Sequence, residues 1–131
     1  MEKTNAKKYN ILVADDDPSI LDVVKIVLEE EGYIVETTLD GNVIPKIHNK
    51  MPDLLLLDIW MSGQDGRDIC KQIKSDSMSS SLPVILFSAN KNIENIALQY
   101  KAQDYLSKPF EIQELIRKVE NVLKHNNLSH S

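Results

Sequence analysis

Apolar and polar positions along this chain follow two alternating periods. Short runs that are apolar at every position give way to stretches where apolar residues recur every three or four positions. The runs Ile11–Ala14, Leu54–Leu57 and Val84–Phe87 are apolar throughout and end in turn-type residues, the pattern of strands buried on both faces. Tyr33–Thr37 and Asp104–Ser107 read as two further strands. After the first strand, Ile20, Val24, Val27 and Leu28 form a helical stripe. Asp17 can cap that helix, Pro18 suits its first turn, and Gly32 ends it. A short helix with Val43, Ile44 and Ile47 follows the Asp40-Gly41 turn, and its Pro45 is tolerable only near the helix start. Further helices run through Ile69 and Ile73, over Ile93–Gln99, and through Ile112, Leu115, Ile116, Val119, Val122 and Leu123. Ser62–Gly66 reads as a loop and Ser75–Ser81 as a polar, mobile connection.

Five strands alternating with five helices predict an α/β fold, a doubly wound parallel sheet covered on both faces. With helices on both faces the expected strand order is 2-1-3-4-5, the flavodoxin-like arrangement. One domain over residues 9–124 is expected, with a flexible segment at 1–8 and a frayed tail at 125–131. In such sheets ligands bind just outside the carboxyl ends of the strands. Those ends carry Asp15-Asp16, Asp58, Ser88 and Lys108.

Composition narrows the possibilities. The 131 residues, 42% apolar and 27% charged, are ordinary for a globular domain. A net charge of -5 argues against direct nucleic-acid binding, which needs a basic face. Cys70 is the only cysteine, so no intrachain disulfide can form, and it falls beside Ile69 and Ile73 as a small core residue. No segment has the apolar length of a membrane span and MEKTNAKKYN lacks a signal-peptide core, so the expectation is a cytoplasmic chain with no membrane partner.

Three carboxylates gathered at one rim repel one another, and burial raises that cost. Protons or a cation must offset it. Mg²⁺ takes oxygen ligands, commonly one or two carboxylates plus a phosphate. One carboxylate can then act as nucleophile and form an aspartyl-phosphate. Lys108 would pair with charge developing on the phosphoryl oxygens, and Ser88 would donate a hydrogen bond to one of them. Singly, each residue has a plainer reading: helix cap, strand end, turn hydroxyl, surface charge. Their joint occurrence at four strand ends points to phosphoryl chemistry.

The chain resembles the receiver domains of bacterial two-component response regulators from about Tyr9 to Lys124. The motifs that carry the resemblance are ILVADDD at 11–17, PDLLLLDI at 52–59, GQDG at 63–66, PVILFSA at 83–89 and DYLSKPF at 104–110. Each is weak alone; in this order and spacing they are specific. The resemblance implies that Asp58 accepts a phosphoryl group from a sensor histidine kinase or phosphotransfer protein. It implies Mg²⁺ (or Mn²⁺) held by Asp16 and Asp58 directly, by Asp15 through water, and by the main-chain carbonyl of Trp60. Ser88 would be the switch hydroxyl, Lys108 the charge clamp, and Tyr105 the aromatic that turns inward when Ser88 moves toward the phosphoryl group. A cis Lys108-Pro109 bond is expected. The face made by the fourth helix, fifth strand and fifth helix would then signal to a downstream protein, as a monomer or a phosphorylation-dependent dimer. The chain is thus expected to be a regulatory phosphoacceptor and not an enzyme, either stand-alone or cut from a longer protein.

Some positions depart from the family pattern. Ser62 stands where proline is usual, and Lys101 where glycine commonly precedes the fifth strand. Trp60 is bulky for a position facing the phosphorylation pocket, and its ring is expected to shield the phosphoryl group from water. Asn90 flanks the same pocket and would position water, the opposite tendency. His48, His125 and His130 lie away from the cluster, leaving no evident phosphodonor within the chain. Two rival functions stand beside the receiver. A degenerate receiver would act only as a protein-binding module, yet no charged member of the cluster is missing. A Mg²⁺-dependent aspartyl phosphohydrolase of the haloacid dehalogenase type would want an acid where this chain has Trp60, and a cap domain besides.

Overall fold

The computed structural model describes residues 8–39, 43–61 and 63–129, with side chains described through 125. Residues 1–7, residues 40–42 with the expected Asp40-Gly41 turn, Ser62, and residues 130–131 with His130 lie outside these ranges. Five strands, β1 (Asn10–Ala14), β2 (Ile34–Thr38), β3 (Leu54–Asp58), β4 (Val84–Ser88) and β5 (Asp104–Ser107), form one sheet. All its pairings are parallel, in the order β2-β1-β3-β4-β5. Between them run α1 (Pro18–Glu30), α2 (Val43–Asn49), α3 (Gly66–Ser75), α4 (Ile93–Gln99) and α5 (Ile112–Ser129).

Alternation within the apolar runs sorts the core into two layers. Ile11, Val13, Leu54, Leu56, Ile85 and Phe87 pack against Leu21, Val24 and Leu28 of α1 and Leu115 and Val119 of α5. Leu12, Ala14, Leu55, Leu57, Val84 and Leu86 face the opposite side, against α2, α3 and α4 through Ile47, Ile73 and Ile96. Each central strand is therefore buried on both faces. Its polar groups can emerge only at the ends, which is why the chemistry collects there.

Local signals account for the boundaries. Asp17 caps α1, its carboxylate accepting from the Ser19 N–H at 2.9 Å, with Pro18 in the first turn. Gly32 follows that helix at φ 98°, a left-handed position that favours glycine. Pro45 falls in the first turn of α2, where its missing N–H leaves no bond unmade. Lys101 also adopts the left-handed region, φ 63°, a conformation that suits glycine better than lysine. Cys70 is fully buried and burial pushes its thiol up to about 11, so it behaves as an unreactive core residue.

Three expectations need correction. The loop expected over Ser62–Gly66 is interrupted where it is described: Gln64–Asp65 pairs with Trp60–Met61 as a short antiparallel ribbon. The Ser75–Ser81 connection is a hydrogen-bonded turn, anchored by buried Ser79, whose hydroxyl donates to the Ile73 carbonyl at 2.9 Å. The last helix continues to Ser129, past Lys124, since no glycine or proline interrupts propagation there.

Gly66, the first residue of α3, lies directly against the backbone of β3. Its N–H donates to the Ile59 carbonyl at 2.6 Å, and a side chain added there would collide with the Asp58 carbonyl oxygen. Gly66→Ala is expected to destabilise the fold by about 1–3 kcal/mol. Denaturant unfolding checks this; an unchanged midpoint would show that the Asp58 backbone gives way freely.

Candidate functional site

The carboxyl ends of β1, β3 and β4 meet where the strand order reverses, and an open cleft of about 1070 Å³ lies over them. Asp16, Asp58, Trp60, Ser88 and Lys108 line it, all singled out from sequence. Asp15 lies beneath, fully buried. Oxygen atoms of Asp15, Asp16 and Asp58 all lie within 4.8 Å of one another. Asp16 is exposed, whereas Asp58 and Ser88 are buried.

Lys108 links these elements across the sheet. Its ammonium donates to Asp15 Oδ2 at 2.8 Å and pairs with Asp58 Oδ2 at 3.5 Å, with 18% of the side chain exposed. It also sits 5.0 Å from the centroid of the Phe87 ring, a cation–π contact on the floor of the site. Main-chain groups complete the frame. The Asp17 N–H donates to Asp15 Oδ1 at 2.9 Å, and the Trp60 N–H to Asp58 Oδ1 at 3.3 Å. The Lys108 N–H donates to the Ser88 carbonyl at 2.9 Å, and the Asn90 N–H to the Ser88 hydroxyl at 3.0 Å. The Lys108-Pro109 peptide is cis.

The two buried acids, Asp15 and Asp58, share the single ammonium of Lys108. Burial, then the Asp15 charge, pushes the Asp58 carboxyl up to about 6, against the opposing pull of Lys108 and the Trp60 N–H. Lys108 thus leaves the buried pair under-compensated, and the ligand atoms that Asp15, Asp16 and Asp58 offer are all oxygen. That donor set fits a hard divalent cation such as Mg²⁺.

Two expected residues lie outside this inner group. Trp60 is at the cleft but 67% of it is exposed, so its ring stands at the lip and not over Asp58 as a packed lid. Tyr105, on β5, does not line the cleft; it packs against the core on the α2–α4 side. Sequence reading missed Arg67 and Phe87. Arg67 lines the cleft and forks onto Asp65 with contacts of 3.0 and 2.7 Å, which holds the Asp65 carboxyl below its ordinary value. Asp65 also caps α3, and an acid two residues before an arginine was the available signal. Nothing marks Phe87 within an all-apolar strand.

Residues 11–120 match the family described as Response regulator receiver domain. The chain belongs to that family: it is a response regulator receiver domain of a two-component system. Among its relatives is the DNA-binding response regulator MtrA of Mycolicibacterium smegmatis, 34% identical over 122 residues. That match takes in 91% of this chain and 52% of MtrA, so the chain spans about half the length of that relative. A putative response regulator from Chloroflexus aurantiacus superposes with a TM-score of 0.85 at 30% identity, covering 90% of this chain and 99% of that one. A CheY-like response regulator receiver domain protein from Methanospirillum hungatei gives 0.86 at 28% identity, covering 94% and 99%. Among the described residues no helix is long and apolar enough to cross a membrane.

Proposed function

We propose that Asp58 is the phosphoacceptor of this receiver, taking a phosphoryl group from the phosphohistidine of a sensor histidine kinase or phosphotransfer protein. The reading rests above all on Lys108, whose ammonium joins Asp15 and Asp58 across 93 and 50 residues of chain at the switch point of the sheet.

Asp16 and Asp58 would hold Mg²⁺ (or Mn²⁺) with the Trp60 carbonyl, and Asp15 would hold it through water. When bound, the ion neutralises the carboxylates and the charge that develops on the phosphoryl oxygens. The chain's own groups do the rest. A carboxylate oxygen of Asp58 forms the new bond to phosphorus as the bond to the donor's imidazole nitrogen breaks. Lys108, already between Asp15 and Asp58, keeps its ammonium within reach of the incoming group. Ser88 Oγ, one strand over, donates to a phosphoryl oxygen once that oxygen is present. The product carries more negative charge than the carboxylate it replaces, and only in that state do Ser88 and Lys108 gain phosphoryl oxygens as partners. Their loops are drawn inward, Tyr105 follows, and the surface of α4, β5 and α5 changes for a downstream protein to read.

The test is intact mass after incubation with acetyl phosphate and Mg²⁺. One hydroxylamine-labile phosphoryl adduct per chain supports the receiver reading. No adduct would reduce the chain to a binding module, and sustained turnover of phosphate esters would make it a hydrolase. A second expectation concerns Trp60, whose ring stands at the lip through which water reaches Asp58. Trp60→Asn is expected to shorten the phosphorylated lifetime by roughly three- to tenfold. Loss of the adduct over time by mass measures it; equal lifetimes would remove any shielding role.

A further inference from the structure

Lys118 belongs to the polar side of α5 by sequence pattern, yet only 12% of its side chain is exposed. It is folded over Tyr105. Its ammonium lies 4.0 Å from the centroid of the Tyr105 ring, donates to the Tyr105 carbonyl at 2.5 Å, and pairs with Asp104 Oδ1 at 3.4 Å. The same Asp104 oxygen accepts from the Tyr105 N–H at 2.8 Å. Both main-chain groups of Tyr105 and its ring are therefore held by one acid–base pair.

The three contacts differ in what happens when the ring moves. Those to the Tyr105 carbonyl and to Asp104 survive a rotation of the tyrosine side chain about its own bonds. The ring contact does not, because it requires the ring beneath the ammonium. A contact present in one of two positions biases the equilibrium between them by its own free energy. With so little of Lys118 exposed to water, that contact belongs toward the stronger end of cation–π attraction.

We propose that Lys118 is a positioning residue for Tyr105: it holds the ring in the place seen here, half-buried beneath the ammonium, and thereby sets how much of the unphosphorylated chain occupies the switched arrangement. This rests on the reading given above, in which the Tyr105 ring exchanges between two positions as Asp58 is modified. Lys118 touches no reacting atom, and its influence passes through the tyrosine alone.

The experiment compares the full chain with Lys118→Met, which keeps the aliphatic stem and removes the charge, and Lys118→Arg, which restores a cation. Each is titrated with beryllium trifluoride in excess Mg²⁺ as a stand-in for the phosphoryl group, while the Tyr105 ring is followed by NMR of ¹³C-labelled tyrosine, assigned with Tyr105→Phe. Lys118→Met is expected to bind the stand-in roughly three- to tenfold tighter, since the ring position of the unmodified chain loses its restraint. Its ligand-free Tyr105 resonance should already lie part-way toward the bound position, and Lys118→Arg should return both readouts toward the parent. In a Tyr105→Ala background the Lys118→Met change should have no effect on affinity, an outcome that general destabilisation would not give. Unchanged or weaker binding by Lys118→Met, or an equal effect without the tyrosine, overturns the proposal. If the parent binds and its Tyr105 resonance moves, such a failure falls on Lys118 alone. If the parent does not bind, or binds without moving that resonance, the reading of the site fails too.

Discussion

Asp58→Asn is expected to abolish the phosphoryl adduct formed with acetyl phosphate and, in the same chain, to make the metal-free fold more stable at pH 7. The two effects share one origin. Asp58 lies at the end of a strand buried on both faces, beside a second buried acid, and its carboxyl is pushed up to about 6 from an ordinary 3.8, first by burial and then by Asp15. A carboxyl whose folded value exceeds its unfolded value favours the fold when protonated. That contribution is complete below the unfolded value of about 3.8 and is lost as pH rises through about 6. The metal-free chain is therefore expected to lose stability between pH 4 and 6, by about 1–3 kcal/mol from this group. Asn removes the ionisation, so this part of the slope should vanish. Denaturant unfolding in chelator at several pH values, with intact mass after acetyl phosphate, checks both halves. A hydroxylamine-labile adduct that survives in Asp58→Asn would move the acceptor to a neighbouring acid. A parent chain with no loss of stability over this window would mean that Asp58 is not strained by burial.

This coupling between strain and chemistry explains which parts of the molecule could be read in advance. Residues at strand ends were legible because the strands are marked by unbroken apolar runs such as Leu54–Leu57, and the sheet topology carries those ends to one place. The helix caps were legible because Asp17-Pro18 and Gly32 act through local backbone chemistry. The Trp60–Met61 ribbon was not, because strands of two residues have no period to detect. Nor was the anchoring of Ser79, whose hydroxyl reaches back six residues in a segment that reads only as polar. Lys118 shows the same limit at longer range. Its position on a helix predicts a solvated charge, and only the tertiary path of β5 places an aromatic ring beneath it.

Lys108→Met is the other change with a large expected effect, and it separates two duties of one ammonium. Asp15 is fully buried, and its Oδ2 accepts from Lys108 at 2.8 Å. Removing the cation leaves that acid and Asp58 facing each other with less compensation, a change that costs about 2–4 kcal/mol in a metal-free chain at pH 7. The Asp58 carboxyl should rise further above about 6, since Lys108 is the main influence now holding it down. Mg²⁺ should stabilise the variant more than the parent, because it supplies charge that the parent already has in part. The second duty appears only during transfer, when Lys108 faces charge growing on phosphoryl oxygens. Its loss should slow phosphorylation by acetyl phosphate roughly a hundredfold even at saturating Mg²⁺. Unfolding with and without the ion, beside the rate of adduct formation, tests the two separately. If saturating Mg²⁺ restored both stability and rate, Lys108 would serve only as the counter-charge of Asp15. If stability returned and the rate did not, the ammonium acts on the phosphoryl group itself, which the 3.5 Å approach to Asp58 places within its reach.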